Sequence, residues 1–185
     1  MTCRMAAALL CALLTAPLIV AAQAAPDASR LQEFETQLET HASATSVLQN
    51  WCDAHAPGQR VVARQVQSAF VPTPEAARRA LAIKPGEAVR YHRVQLMCGN
   101  RVLSNADNWY LPDKLTRIMN DTLEHSETPF GVAVAALHFT RDNLETTFPP
   151  PDDQGVLRHS AVLLTDKGQP FSFVVETYTK AVLGN

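Results

Sequence analysis

The stretch Ala88-Val-Arg-Tyr-His-Arg-Val-Gln-Leu-Met-Cys98, then Gly99-Asn100, then Arg101-Val-Leu-Ser-Asn-Ala-Asp-Asn-Trp-Tyr110 decides the fold class. Both flanks are rich in β-branched and aromatic residues, and only Gly99-Asn100 separates them. A two-residue loop containing glycine suits the primed turns that join antiparallel strands. Pro112-Asp113 closes the hairpin, and Asp113 is read as the cap of a helix carrying Leu115, Ile118, Met119 and Leu123. Thr128-Pro129 is read as the start of a short apolar helix from Phe130 to about Ala136. His138 to Phe148 returns as a strand, and the run Pro149 to Gly155 is a loop. Arg158–Thr165 and Phe171–Val182 then form a second hairpin around Asp166-Lys167-Gly168-Gln169. Upstream, Leu31, Phe34 and Leu38 mark an amphipathic helix, with a second helix read through Val47, Leu48 and Trp51 that ends at His55-Ala56-Pro57-Gly58. Arg60 to Phe70 reads as a strand with Val62, Val66 and Phe70 on one face. Thr73-Pro74 reads as the start of a helix reaching about Ile83, with Thr73 as N-cap. Hairpins with helices between them predict an α+β fold, an antiparallel sheet with helices packed on one side.

The 185 residues, 46% apolar and 18% charged, suit one globular domain able to bury a core. Sixteen basic against eighteen acidic residues leave no general attraction for nucleic acid. Arg4 followed by the uncharged run Met5–Ala22 and by Ala22-Gln23-Ala24 has the form of a signal peptide cleaved after Ala24. The expected organisation is a signal peptide over 1–24, a helical polar segment over 25–45 and one domain over 46–185. Localisation would be periplasmic or secreted, with no membrane association after cleavage. Cys3 and Cys11 leave with the signal, and Cys52 and Cys98 remain. In an oxidising compartment these two form either one disulfide or two buried thiols. The six histidines show no zinc-ligand spacing. There is no Gly-x-Ser-x-Gly elbow and no glycine-rich phosphate loop.

Several strings together resemble chorismate lyase, and more broadly the fold it shares with ligand-sensing domains of bacterial transcription regulators. They are Arg90-Tyr91-His92-Arg93 with Val94 to Met97, the Gly99-Asn100 turn, Trp109-Tyr110-Leu111-Pro112, Thr128-Pro129-Phe130-Gly131, Phe139-Thr140-Arg141-Asp142, and Gly168-Gln169-Pro170 leading to Val175-Glu176-Thr177. The resemblance runs over roughly residues 46–182. It implies elimination of pyruvate from chorismate to give 4-hydroxybenzoate, without metal or organic cofactor, in a closed pocket of a monomer.

The resemblance implies two catalytic residues, Arg93 gripping a carboxylate and Glu176 near the ring oxygen. It implies Val47, Asn108 and Phe130 as substrate-binding residues, with Asn108 standing where the family has a second arginine. Arg141 is read as an ion-pair partner. The chemistry suits these residue types: a guanidinium binds a carboxylate through two parallel hydrogen bonds, and a buried carboxyl can deliver a proton. The spacing from Pro170 to Glu176 is one residue longer than the family pattern. That slip would turn Glu176 to the opposite face unless a bulge absorbs it. The alternative function is a non-catalytic periplasmic binding protein for a small aromatic carboxylate. In either case the partner is a small aromatic or dicarboxylate ligand.

Overall fold

The computed structural model describes residues 21–67, 71–149 and 155–184. Most of the segment expected to be a signal peptide, Phe70 of the expected first strand and the centre of the proline-rich loop lie outside the described residues. The chain begins with α1 (Ala21–Thr40) and α2 (Ala44–His55), followed by β1 (Val61–Gln65) and the short α3 (Glu75–Ala80). The central hairpin is β2 (Arg90–Cys98) and β3 (Arg101–Tyr110). After it come α4 (Arg117–His125), α5 (Phe130–Ala133), β4 (Thr140–Thr147), β5 (Gly155–Leu164) and β6 (Pro170–Thr179). The six strands form one sheet in the order β1-β2-β3-β6-β5-β4, with every neighbouring pair antiparallel. The fold class is the α+β arrangement expected.

The Gly99-Asn100 turn forms as read: Gly99 takes φ +57°, a conformation open to glycine at little cost. Where the chain departs from the expected elements, a local competitor wins. The second helix read through Val47, Leu48 and Trp51 forms as α2, but its N-cap Ser43, which accepts from the Ser46 N–H, was not among the expected caps. α3 starts one residue late, with Pro74 rather than Thr73 at its N-cap. Asp113 caps no α-helix. It sits in a 3-10 turn over Pro112–Lys114, and Thr116 caps α4 by accepting from the Met119 N–H at 3.2 Å. The β6 strand ends at Thr179, and Lys180–Leu183 tighten into a 3-10 turn.

α1 and α2 cover one face of the sheet. Phe34 and Leu38 of α1 and Val47, Leu48 and Trp51 of α2 enter a core with Val94, Leu96, Ala106, Leu157 and Tyr178. α4 and α5 pack at the other end of this sheet around Tyr110, Leu163 and Phe171. The opposite face is closed near its centre by α3, whose Ala77 lies against Trp109, Val162 and Phe173. Cys52 of α2 and Cys98 of β2 form a disulfide, resolving the two alternatives left by the sequence. Among the described residues, no helix is long and apolar enough to cross a membrane.

Candidate functional site

Alternation along strands fixes which side chains share a face. Val94 pairs with Ala106, Ala106 with Glu176, and Glu176 with His159, so these four form one transverse row beneath the helices. Glu176 reaches this face because β6 carries a bulge. Leu164 pairs with Pro170 and Leu163 with Ser172, leaving Phe171 as the extra residue. The bulge absorbs the longer Pro170-to-Glu176 spacing.

A small pocket, with a free volume of about 30 Å³, lies between this face and the helices. Its apolar walls include Val94, Leu96, Phe130, Phe139, Leu163 and Val174, and its polar groups include Ser43, Thr45, Asn108, Arg141 and Glu176. That space holds about one or two waters, so a ring-sized ligand enters only if lining side chains shift. Arg141 rises from the edge strand β4, opposite Leu163, and spans β5 to meet Glu176. Ala161 lies on the intervening strand, where its small side chain leaves room. The Arg141 Nη2 donates to Glu176 Oε2 at 2.8 Å, and the two side chains are only 3% and 7% exposed. Arg141 Nε donates to Asn143 Oδ1 at 2.8 Å, and the Tyr178 hydroxyl donates to Glu176 Oε2 at 2.9 Å.

The electrostatics follow from burial and this cluster. Burial works against the Arg141 charge, but Glu176 and Tyr178 outweigh it and hold the guanidinium above its ordinary pKa. Burial, then the Glu176 carboxylate, pushes the Tyr178 hydroxyl well above the usual tyrosine range. Tyr178 is therefore a hydrogen-bond donor that stays protonated. His159, fully buried, is lowered by burial first and by Arg141 second, against the opposite pull of Glu176 and Glu39. The unfolded chain binds a proton at this histidine near its ordinary value of 6.5, whereas the folded chain resists it. Below that pH the unfolded state holds more protons, so stability falls with pH until the lower folded pKa is passed. His159→Gln is expected to flatten the stability–pH curve in that window, whose slope from one histidine is at most about 1.4 kcal/mol per pH unit. Urea midpoints from pH 7.5 to 5 check this, and curves that stay parallel would show that His159 contributes nothing.

The five residues expected from the resemblance divide. Asn108, Phe130 and Glu176 line the same pocket. Arg93 does not. It belongs to the row of Asp107 and Val175, one residue out of phase with Val94, and therefore faces the other side of the sheet. There it is 42% exposed and lies 3.6 Å from Asp107, which also accepts from the Tyr91 hydroxyl. Val47 is also displaced: it is 1% exposed and packed in the core beneath α2 rather than over the pocket. The helix turn that does reach the pocket is the one just before it, Ala42 to Thr45. Sequence reasoning missed Ser43, Thr45 and Phe139. An N-cap serine at the start of an apolar helix was the available signal for the first two. Gly131 of the Thr-Pro-x-Gly element lies beside them, and a Cβ there would come within 2.9 Å of Ser43 Oγ and 3.2 Å of Thr45 Oγ1.

No family model matches the chain. It is 39% identical over 180 residues to the uncharacterized protein y4mC of Sinorhizobium fredii, covering 83% of this chain and 75% of that protein. In structure it is similar to PhnF from Mycobacterium smegmatis, with TM-score 0.54 and 12% identity over 75% of this chain and 64% of that one. It is similar to the PhnF effector domain alone, with TM-score 0.53 and 12% identity over 75% of this chain and 88% of that domain. It is also similar to a possible transcriptional regulator, YydK, from Bacillus subtilis, with TM-score 0.50 and 17% identity over 66% of this chain and 58% of that one. The chain thus spans 58% of YydK and 64% of the longer PhnF chain. At these identities the likeness establishes the fold alone: this chain has the architecture of the PhnF effector domain.

Proposed function

The chain belongs to the family of the Sinorhizobium fredii protein y4mC, and from that premise we propose that it binds a small aromatic carboxylate in the pocket beneath α2 and α5. The observation that carries this reading is the buried Arg141–Glu176 pair in a pocket otherwise walled by aromatic and aliphatic side chains. Phe130 and Phe139 offer faces and edges to a ring, and Asn108, Thr45 and Glu176 offer polar contacts at its margin. Charge favours a monocarboxylate over chorismate. Chorismate carries two carboxylates, and among the described pocket residues the one guanidinium is already matched by Glu176. Each ligand carboxylate would enter a low-dielectric site without a further counterion, so two charges cost more than one. A monocarboxylate asks less of the site.

The lyase reading keeps one support, the position of Glu176 within the pocket, where the resemblance puts the group near the ring oxygen. Titration calorimetry with 4-hydroxybenzoate separates the readings when run beside a chorismate assay that follows pyruvate. The expected result is saturable 4-hydroxybenzoate binding, weakened about tenfold or more in Phe130→Ala through lost apolar burial, with no pyruvate released. Stoichiometric release of pyruvate and 4-hydroxybenzoate, abolished in Glu176→Gln, would replace binding by catalysis. Absence of both binding and turnover would remove the pocket reading.

Export belongs to the same reading. It is supported by the uncharged run after Arg4, by Ala22-Gln23-Ala24, and by the Cys52–Cys98 disulfide, a bond that persists in oxidising compartments. Protein recovered from the producing cell is expected to begin at Ala25, and recovery with residues 1–24 still attached would overturn export with cleavage.

A further inference from the structure

A second cleft lies between the start of β2 and the end of α4, and it shares no lining residue with the pocket described above. Arg90, His92, Tyr110, Gln65, Leu123 and Glu124 line it. Its free volume is about 270 Å³, just below the range of about 300–1,000 Å³ that takes drug-sized ligands, so it suits a smaller molecule. Alternation puts Arg90 and His92 on one face of β2, and Tyr110 stands opposite Arg90 on β3. Gln65, the last residue of β1, donates through Nε2 to the carbonyls of Leu123 (3.2 Å) and Glu124 (3.1 Å). These bonds fix the end of α4 against the sheet.

The cleft carries one charge of each sign. Arg90 Nη1 forms an ion pair with Glu124 Oε1, and the Arg90 guanidinium also engages the Tyr110 hydroxyl. These charged side chains are 47% and 39% exposed, so the pair stands at the mouth, whereas Tyr110 and Leu123 are buried. An exposed pair of this kind contributes little to stability, and opening it costs correspondingly little. His92 points independently to a ligand. Both of its ring nitrogens are closed to solvent, and neither makes a hydrogen bond among the described residues. Burial holds this imidazole below its ordinary pKa, so the neutral ring presents one N–H and one lone pair with nothing to meet them. Buried polar atoms are nearly always paired, and a polar group entering the cleft would supply the missing partner.

We propose that this cleft binds a small aliphatic α-amino acid as its zwitterion, inserted into the Arg90–Glu124 pair. The carboxylate accepts from the Arg90 guanidinium and the Tyr110 hydroxyl. The ammonium donates to Glu124 and to the His92 lone pair, and the side chain lies against Leu123 and the Tyr110 ring. One exposed ion pair is thereby exchanged for two charge-assisted contacts. The end of α4 carries the negative end of its dipole, which favours the ammonium on the Glu124 side. A simple amine would leave Arg90 unmatched and a simple carboxylate would leave Glu124 unmatched, so the cleft selects molecules that carry both charges. The site stands apart from the aromatic-acid pocket and does not depend on it.

Calorimetry on the full chain with L-valine tests this, beside 2-methylpropylamine and 3-methylbutanoate, which are valine without its carboxylate and without its ammonium. Valine is expected to bind saturably, and each analogue at least about tenfold more weakly. Arg90→Met and Glu124→Gln are each expected to weaken valine binding about tenfold or more. The first should close the gap between valine and the amine, and the second the gap between valine and the carboxylate. Both side chains are exposed, so the urea midpoints of these variants are expected to stay near that of the parent, which reports that they are folded. Absence of saturable valine binding would overturn the proposal. Valine binding left undiminished in both variants would place the amino acid elsewhere and overturn this site, whereas the 4-hydroxybenzoate titration reports separately on the aromatic-acid pocket.

Discussion

Replacing Arg141 with methionine is expected to lower the unfolding free energy by about 3–5 kcal/mol, the usual cost of stranding one member of a buried ion pair. The magnitude comes from the surroundings. Glu176 is 7% exposed at its side chain, its Oε2 is shared by Arg141 and by the buried Tyr178 hydroxyl, and neighbouring His159 resists taking a positive charge. Among the described residues, no other cation lies within ion-pair distance of Glu176. Arg141→Met/Glu176→Gln is expected to recover most of the loss, because the glutamine removes the charge and still accepts from Tyr178. Urea unfolding of the two variants and the parent checks both statements. If the single and double variants were equally destabilised, the loss would come from packing of the arginine stem rather than from the stranded carboxylate. Binding carries a separate signature: Arg141 and Glu176 line the pocket, so the double variant is expected to be well folded yet weakened toward 4-hydroxybenzoate.

Breaking the Cys52–Cys98 bridge is expected to cost about 4 kcal/mol on the chain-entropy estimate for its loop. The bond joins residues 46 apart and ties α2 to the strand that forms the pocket floor. Both cysteines are buried, at 0% and 2% exposure, so the double variant Cys52→Ala/Cys98→Ala also loses packing around the two sulfurs. Its urea midpoint is expected well below that of the oxidised protein, and reductant is expected to lower the parent's midpoint while leaving the variant's alone. Labelling of Cys52 and Cys98 as free thiols in the unreduced protein would contradict the bridge outright. The bridge also bears on the site. Cys52 lies two turns along α2 from Thr45, so loosening that helix is expected to weaken ligand binding.

Much of this architecture is legible in local pattern. The β2–β3 hairpin follows from two β-rich runs around Gly99-Asn100, and β5–β6 from two more around Asp166 to Gln169. The helix starts were read less well. Thr73 and Asp113 have the right chemistry for caps, but capping also depends on the direction in which the chain enters, and Pro74 and Thr116 hold those positions instead. Glu176, Asn108 and Phe130 were found through a resemblance in their strings, and Arg141 was singled out as an ion-pair partner without its mate.

What the sequence determined by itself is therefore the set of strands, turns and amphipathic helices, because hydrophobic period and turn chemistry act over a few residues. The tertiary structure decided which face of each strand meets the pocket. Arg93 and Val94 are neighbours in sequence, yet cross-strand pairing puts Val94 beside Glu176 and Arg93 on the far side. A single bulge at Phe171 sets the parity of Glu176, and the strand order brings Arg141 to it across 35 residues. One extra residue inverts every side chain beyond it, and whether the extra residue bulges or slips is settled by packing between distant segments rather than by the residues alongside.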